Sequence, residues 1–201
     1  MSGTSDWWRG YDEHTFHRYL TLESEASALT EYETSAVPGL LQTEEYAYAI
    51  IRGCLPLIEE DALAWRVRTR MHRQERLRGL FPLRYWALLD ESVIHRHVGG
   101  RDTMRHQLER VIKYAELPNV TIQLVPFSVG AHVGFNTAFQ YLEFDSPARS
   151  PSVWMETLIG YLTREDPRDT GRFREALDFL QAVALSPADS LLRIAAIGRT
   201  I

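Results

Sequence analysis

The sequence predicts an α+β fold: N-terminal helices, a mixed sheet of four to five strands with an inserted helix, then C-terminal helices. Three observations predict it. Apolar residues recur at helical spacing through the first part of the chain. After Gly79 the period changes to dense or alternating apolar runs of strand length. Helical spacing returns between two of those runs and again near the C-terminus.

The elements follow in order. From Glu13 to Tyr32, Phe16, Tyr19, Leu22, Ala26 and Leu29 mark one face of a first helix. Pro38-Gly39 breaks the chain. Thr43 caps a second helix, with Glu44 and Glu45 in the first turn, where they favour the helix dipole. That helix runs to Arg52 and stops at Gly53. A third covers Ile58 to Arg78, with Ala62, Leu63, Trp65, Val67 and Met71 inward. Leu83 to Asp90 reads as a buried strand, and Arg101 to Glu116 as the inserted helix with Met104, Leu108, Val111, Ile112 and Ala115 on one face. Val120 to Val125 alternates as a strand and ends at Pro126. Ser128 to Asn136 is a loop, and Thr137 to Phe144 with Ser152 to Glu156 makes a hairpin. Arg172 to Leu185 is helical, and Ser186-Pro187-Ala188-Asp189 caps a last helix to about Ile197. Residues 1–201 are read as one regulatory-type domain, with a helical part over 1–80 and a sheet-containing part over 81–201.

Bulk properties narrow the function. The chain has 201 residues, 45% of them hydrophobic, enough for one good core. No apolar run reaches membrane-spanning length, and the acidic N-terminus is no secretory signal. The single cysteine, Cys54, excludes an internal disulfide and fits a reducing cytoplasm. A net charge of −5 is the wrong sign for a free-standing nucleic-acid binder.

The candidate site residues are polar groups at element ends and on one helix. Arg66, Arg70 and Arg73 share a face of the third helix, either as an anion-binding surface or as a solvated face paired with nearby acids. Glu23 falls on the stripe made by Tyr19 and Ala26, where an apolar residue is expected. A lone buried carboxylate costs several kcal/mol, so Glu23 is expected either to pair with Arg70 or Arg73, tying the first helix to the third, or to sit at the stripe edge in water. Asp90 and Glu91 follow a strand with side chains pointing opposite ways, which suits a turn cap better than an acid/base pair. His132 sits in the loop Gly130-Ala131-His132-Val133-Gly134, and Glu156 ends a strand. If Asp90, Glu91, His132 and Glu156 converge at one sheet edge, they make a polar pocket. His95 and His97 lack a third ligand at zinc spacing. No nucleophile elbow, P-loop or dinucleotide fingerprint is present, so neither a catalytic residue, a metal nor a cofactor is assigned. Trp7, Trp8 and Tyr11 read as a core cap or a docking edge, and Trp65, Trp86 and Trp154 as core.

The residues also carry a resemblance. Leu22-Glu23 with Ala26, Val37-Pro38-Gly39-Leu40-Leu41-Gln42-Thr43 with Tyr46-Ala47, Arg70, Arg73-Gln74, Asp90-Glu91 and Val98-Gly99-Gly100 match a known pattern. So do Met104, Gln107-Leu108, Val120-Thr121, Val125-Pro126, Gly130, His132, Gly134, Phe139, Glu156, Tyr161-Leu162 and Ala184-Leu185-Ser186. The chain resembles, over nearly its whole length, the actinobacterial domain of unknown function found C-terminal to Xre-type helix-turn-helix domains in WhiJ-like, antitoxin-like transcription regulators. The resemblance implies ligand sensing or protein–protein interaction: a domain that receives a small molecule or a small neighbouring protein and passes that state to DNA-binding helices. The helix-turn-helix itself is absent from this chain, so direct nucleic-acid binding is not expected. Homodimerisation through an apolar patch is an accompanying expectation. The alternative is a stand-alone small-molecule binder or enzyme built on the same domain, for example in natural-product biosynthesis, which requires a deep pocket with a few convergent polar groups.

Overall fold

The first helix stops seven residues short of the expected end, and the difference sets the architecture. In the computed structural model, which describes residues 13–146, 148–157 and 160–201, α1 spans Glu13–Glu25 and is followed by strand β1, Ala28–Glu33. Trp7, Trp8 and Tyr11, expected as a core cap or a docking edge, lie outside the described residues. Ala26 and Leu29 continue the helical spacing by coincidence. β1 is buried on both faces, yet its Glu31 and Glu33 break the apolar run that such a strand normally shows.

Six strands form one sheet in the order β3-β2-β1-β4-β5-β6. β1, β2 (Arg84–Asp90) and β3 (Val120–Val125) run parallel. β4 (Phe139–Glu143), β5 (Ser152–Thr157) and β6 (Gly160–Arg164) continue as an antiparallel meander beside β1. The sheet is therefore mixed, as expected, but larger than four to five strands. β1 and the polar edge strand β6 are the additions. The first 80 residues are thus not wholly helical, because they supply a central strand.

Helices occupy the connections that parallel strands demand. α2 (Glu44–Cys54) and α3 (Glu60–Arg73) lie between β1 and β2. A short α4 (Ser92–His95) and α5 (Arg101–Tyr114) lie between β2 and β3. Thr43 caps α2 as expected, its hydroxyl accepting from the Tyr46 N–H at 3.2 Å. α2 passes through Gly53 before ending. α3 is shorter than expected and closes in a 3-10 turn, Gln74–Leu77. Leu63 and Val67 point inward, but Ala62 and Trp65 are exposed. α6 (Pro167–Val183) starts before Arg172, because Asp166 accepts from the Arg168 N–H and Pro167 takes the first turn. α7 (Pro187–Gly198) is capped by Ser186 as read from the sequence.

Strand alternation sorts the core. Leu29, Tyr85, Ala87, Leu89, Ile122, Leu124, Leu142 and Trp154 face one way and pack with Tyr19, Leu41, Tyr46, Met104, Leu108, Val111 and Ile194. Tyr32, Leu88, Phe139, Tyr141 and Val153 face the other way, against Leu177 and Leu180 of α6. The free edge of β3 is covered by the α6–α7 connection: Leu185 donates to the Leu124 carbonyl at 2.8 Å, and Ser190 Oγ accepts from the Leu124 N–H at 2.9 Å. No single helix among the described residues is long and apolar enough to cross a membrane.

Candidate functional site

The segment after β1 is built to be a rigid wall. Pro38 leads into a 3-10 turn at Gly39–Leu41 whose leucines are buried. Buried peptide groups must find partners, and here three glutamine side chains supply them. Gln42 Nε2 donates to the Val37 carbonyl (2.6 Å). Gln74 Nε2 donates to the Gln42 carbonyl (2.7 Å) and the Gly39 carbonyl (3.2 Å). Gln107 bridges, donating to the Leu41 carbonyl (2.8 Å) and accepting from the Thr43 N–H (2.7 Å). Tyr46 Oη accepts from the Val37 N–H (3.1 Å). The turn is thereby fixed to α2, α3's end and α5 at once.

This wall bounds a cavity of about 330 Å³. Its floor is the sheet face that carries Glu31 and Glu33 of β1, Gln140 of β4, Trp154 and Glu156 of β5, and Tyr161 of β6. Its roof includes Arg66, Arg70 and Arg73, spaced four and three along α3 and therefore aligned.

Glu23 and Arg73 close one end. Arg73 Nε donates to Glu23 Oε1 at 2.8 Å and Nη2 to Oε2 at 2.5 Å, a two-point fork. Of the two arginines considered for Glu23, Arg73 is the partner. Glu23 is 2% and Arg73 13% exposed at the side chain, so the pair ties α1 to α3 in a low-dielectric place. Tyr19 donates to Glu23 Oε2 at 2.7 Å, and the Arg73 guanidinium lies 5.1 Å from the Tyr19 ring centre. Burial opposes the Arg73 charge, but Glu23 and Tyr19 outweigh it and raise its pKa.

The other charges are less settled by their neighbours. Glu31 is buried; it accepts from Tyr85 Oη (2.6 Å) and from Gln140 Nε2 (2.7 Å). Burial raises its pKa despite these donors. Glu33 stands two residues on, on the same sheet face, and lines the same cavity as Glu31. Burial, then the Glu31 charge, push its carboxyl well above the usual range. Across the cavity Arg70 Nη1 donates to Gln42 Oε1 (2.9 Å), its one side-chain hydrogen bond among the described residues. Burial, then the neighbouring Arg73, lower its pKa.

The remaining predicted site residues lie elsewhere. Arg70, Arg73 and Glu156 line the cavity, but Asp90, Glu91 and His132 do not join Glu156 at one sheet edge. Asp90 ends β2 on the opposite sheet face. Its Oδ1 accepts from the Ser92 N–H (2.9 Å), a turn cap, and its Oδ2 lies 3.8 Å from His132 Nε2. His132 meets the Tyr32 ring edge-on at 6.0 Å. Gly134 is needed there, since a Cβ would fall 2.5 Å from Tyr32 Cε1. Glu91 is a latch: Oε1 accepts from Arg193 Nε (2.8 Å) and Nη2 (2.6 Å), and Oε2 accepts from the Phe127 N–H (2.8 Å). His95 lies 3.6 Å from Glu91 and stacks on Phe127, so it belongs to that latch. No group of three or more metal-ligating side chains stands together among the described residues. The residues that sequence reasoning missed are Glu31, Glu33 and Gln140. The Thr30-Glu31-Tyr32-Glu33 alternation was the available signal for the first two, and assignment to a helix hid it.

No curated protein matches the chain. A family model, however, matches residues 16–196, nearly the full length, and it includes the Pro-Gly turn, α3 and every strand of the cavity floor. The chain belongs to the family described as Domain of unknown function (DUF5753).

Proposed function

We propose that this chain is the effector-binding part of a transcription regulator, of the kind that accompanies Xre-type helix-turn-helix domains, and that it senses a small molecule in the cytoplasm. One observation carries the reading: the cavity holds ionisable groups of both signs that neighbouring side chains only partly satisfy, and its wall is the turn tied to three helices. A ligand that draws Arg70 away from Gln42 acts on the Val37–Thr43 wall through Gln42, and on α5 through Gln107. That is a direct route from occupancy to helix position. DNA contact is assigned to other helices, because Arg70 and Arg73 face the cavity and Arg76 donates to the Ala26 carbonyl at 2.6 Å.

Native mass spectrometry of the chain purified from its own host tests this reading. A retained small molecule, lost from an Arg70→Gln variant, is the expected result. A chain that emerges ligand-free, or that holds only a small protein partner, overturns it. The adjacent carboxyls Glu31 and Glu33 favour a second reading, a stand-alone enzyme using them as an acid/base pair. Turnover of the retained molecule by the purified chain would establish that reading instead.

A further inference from the structure

We propose that the cavity takes a small zwitterion of amino-acid size, with its cationic group on Glu31 and Glu33 and its anionic group on Arg70. The inference rests on the sensor reading above and names the ligand class of that same site.

The cationic end is argued from the floor. Glu31 and Glu33 are i and i+2 on a central strand, so their carboxyls lie on one face. Two carboxylates side by side on one strand face, both lining the cavity, share a proton or call for a positive group between them. Gln140 lies beside them. Its Nε2 is committed to Glu31, which fixes the amide orientation and leaves the buried Oε1 with no donor among the described residues. Three acceptors thus cluster where, among the described residues, Tyr85 and Gln140 Nε2 are the donors. An ammonium or guanidinium supplies the missing donors and replaces the shared proton.

The anionic end is argued from the roof. Arg73 already holds a carboxylate through both arms of its fork. Arg70, one turn earlier and half-buried, holds among the described residues only the neutral amide of Gln42. No carboxylate among the described residues is hydrogen-bonded to the Arg70 fork, and a planar fork suits a carboxylate or phosphate. Glu156 and Tyr161 of the sheet and Arg66 of α3 also face this space and act on Arg70. Floor and roof bound one cavity of about 330 Å³, at the small end for ligand sites, which suits a molecule with its two charges a few bonds apart.

Isothermal titration of the full chain tests the proposal. The probes are the standard amino acids, β-alanine, γ-aminobutyrate and taurine. Each binder is compared with its N-acetyl derivative, which lacks the cation, and, for the carboxylates, its primary amide, which lacks the anion. The parent is expected to bind at least about tenfold more tightly than either derivative. Binding should release a proton, seen as an enthalpy that depends on the buffer. Glu33→Gln should lose the preference over the N-acetyl derivative, and Arg70→Gln the preference over the amide, while Arg70→Lys retains it. Circular dichroism checks that each variant is folded. Equal binding of either derivative, or no binding by any probe, overturns the zwitterion. A retained host molecule with one charge sign likewise overturns it and leaves the sensor reading standing. A chain that retains nothing from its host overturns the sensor reading itself.

Discussion

At the scale of single residues, two glutamates in different settings make opposite statements about stability. Glu23 meets the two-point fork of Arg73 and the Tyr19 hydroxyl, so its removal leaves Arg73 in a mostly buried place without its carboxylate. Glu23→Gln is expected to cost about 3 kcal/mol, a fall of about 9 °C in Tm. An unchanged melting curve would remove the tie between α1 and α3. Glu33 is the reverse case. Burial and Glu31 raise its folded pKa above the unfolded value, so the native state retains a proton that the unfolded chain releases. Its contribution is full below the unfolded pKa, about 4.3, and is lost as pH rises through the folded value. Glu33→Gln is therefore expected to gain on the parent as pH rises from 5 to 9, by ~1 kcal/mol or about 3 °C. Melting curves at the two pH values decide it, and a Gln variant that gains nothing at pH 9 would contradict the paired-carboxyl geometry.

At the scale of elements, short motifs work by joining helices to strands. The Val37–Thr43 turn is specific in sequence because Gln42, and the Gln74 and Gln107 that meet it, each satisfy peptide groups no water reaches. Glu91 does the same for α7, joining it to the end of β2 and the start of the loop after β3. Burial pushes the Glu91 carboxyl up, but the Phe127 N–H and Arg193 outweigh it and hold it below its usual value. Its contribution is therefore present at neutral pH and is lost as pH falls through that lowered value. Glu91→Gln is expected to cost about 1–2 kcal/mol at pH 7, discounted because the Arg193 side chain is 51% exposed. Denaturant titrations at pH 7 and pH 3 check this: the gap between parent and variant should close in acid. A gap that persists at pH 3 would show that the latch acts through packing instead of charge.

At the scale of the molecule, one strand decides how the parts cohere. β1 has a parallel neighbour on one side and an antiparallel one on the other, so it joins the β3-β2 half of the sheet to the β4-β5-β6 meander. It also carries Glu31 and Glu33 into the cavity. Hydrogen exchange tests this role. Amides at Leu29–Tyr32 and Ala87–Leu89 should be among the slowest and should exchange together, in the global unfolding event. If residues 13–80 exchanged as a separate, earlier unit, the continuous sheet would be contradicted.

How much was legible follows from the range of each interaction. The sequence by itself determined the helix starts at Thr43 and Ser186, strands β2, β3 and β5 and the α5 insertion, and at Glu23 it left a choice between a partner and water. In each case, local chemistry decides: a cap bonds three residues away, a period repeats within a few, and a charge on an apolar stripe calls for a partner or for water. Only the tertiary structure decided that Leu29 belongs to a strand, that Glu23 is buried with Arg73 and not Arg70, that Glu91 latches α7, and that Glu31 and Glu33 share a cavity with Arg70. These depend on neighbours dozens of residues away in the chain, Leu142, Tyr85, Gln140 and Arg193 among them, whose burial of β1 and of the charges no local pattern encodes.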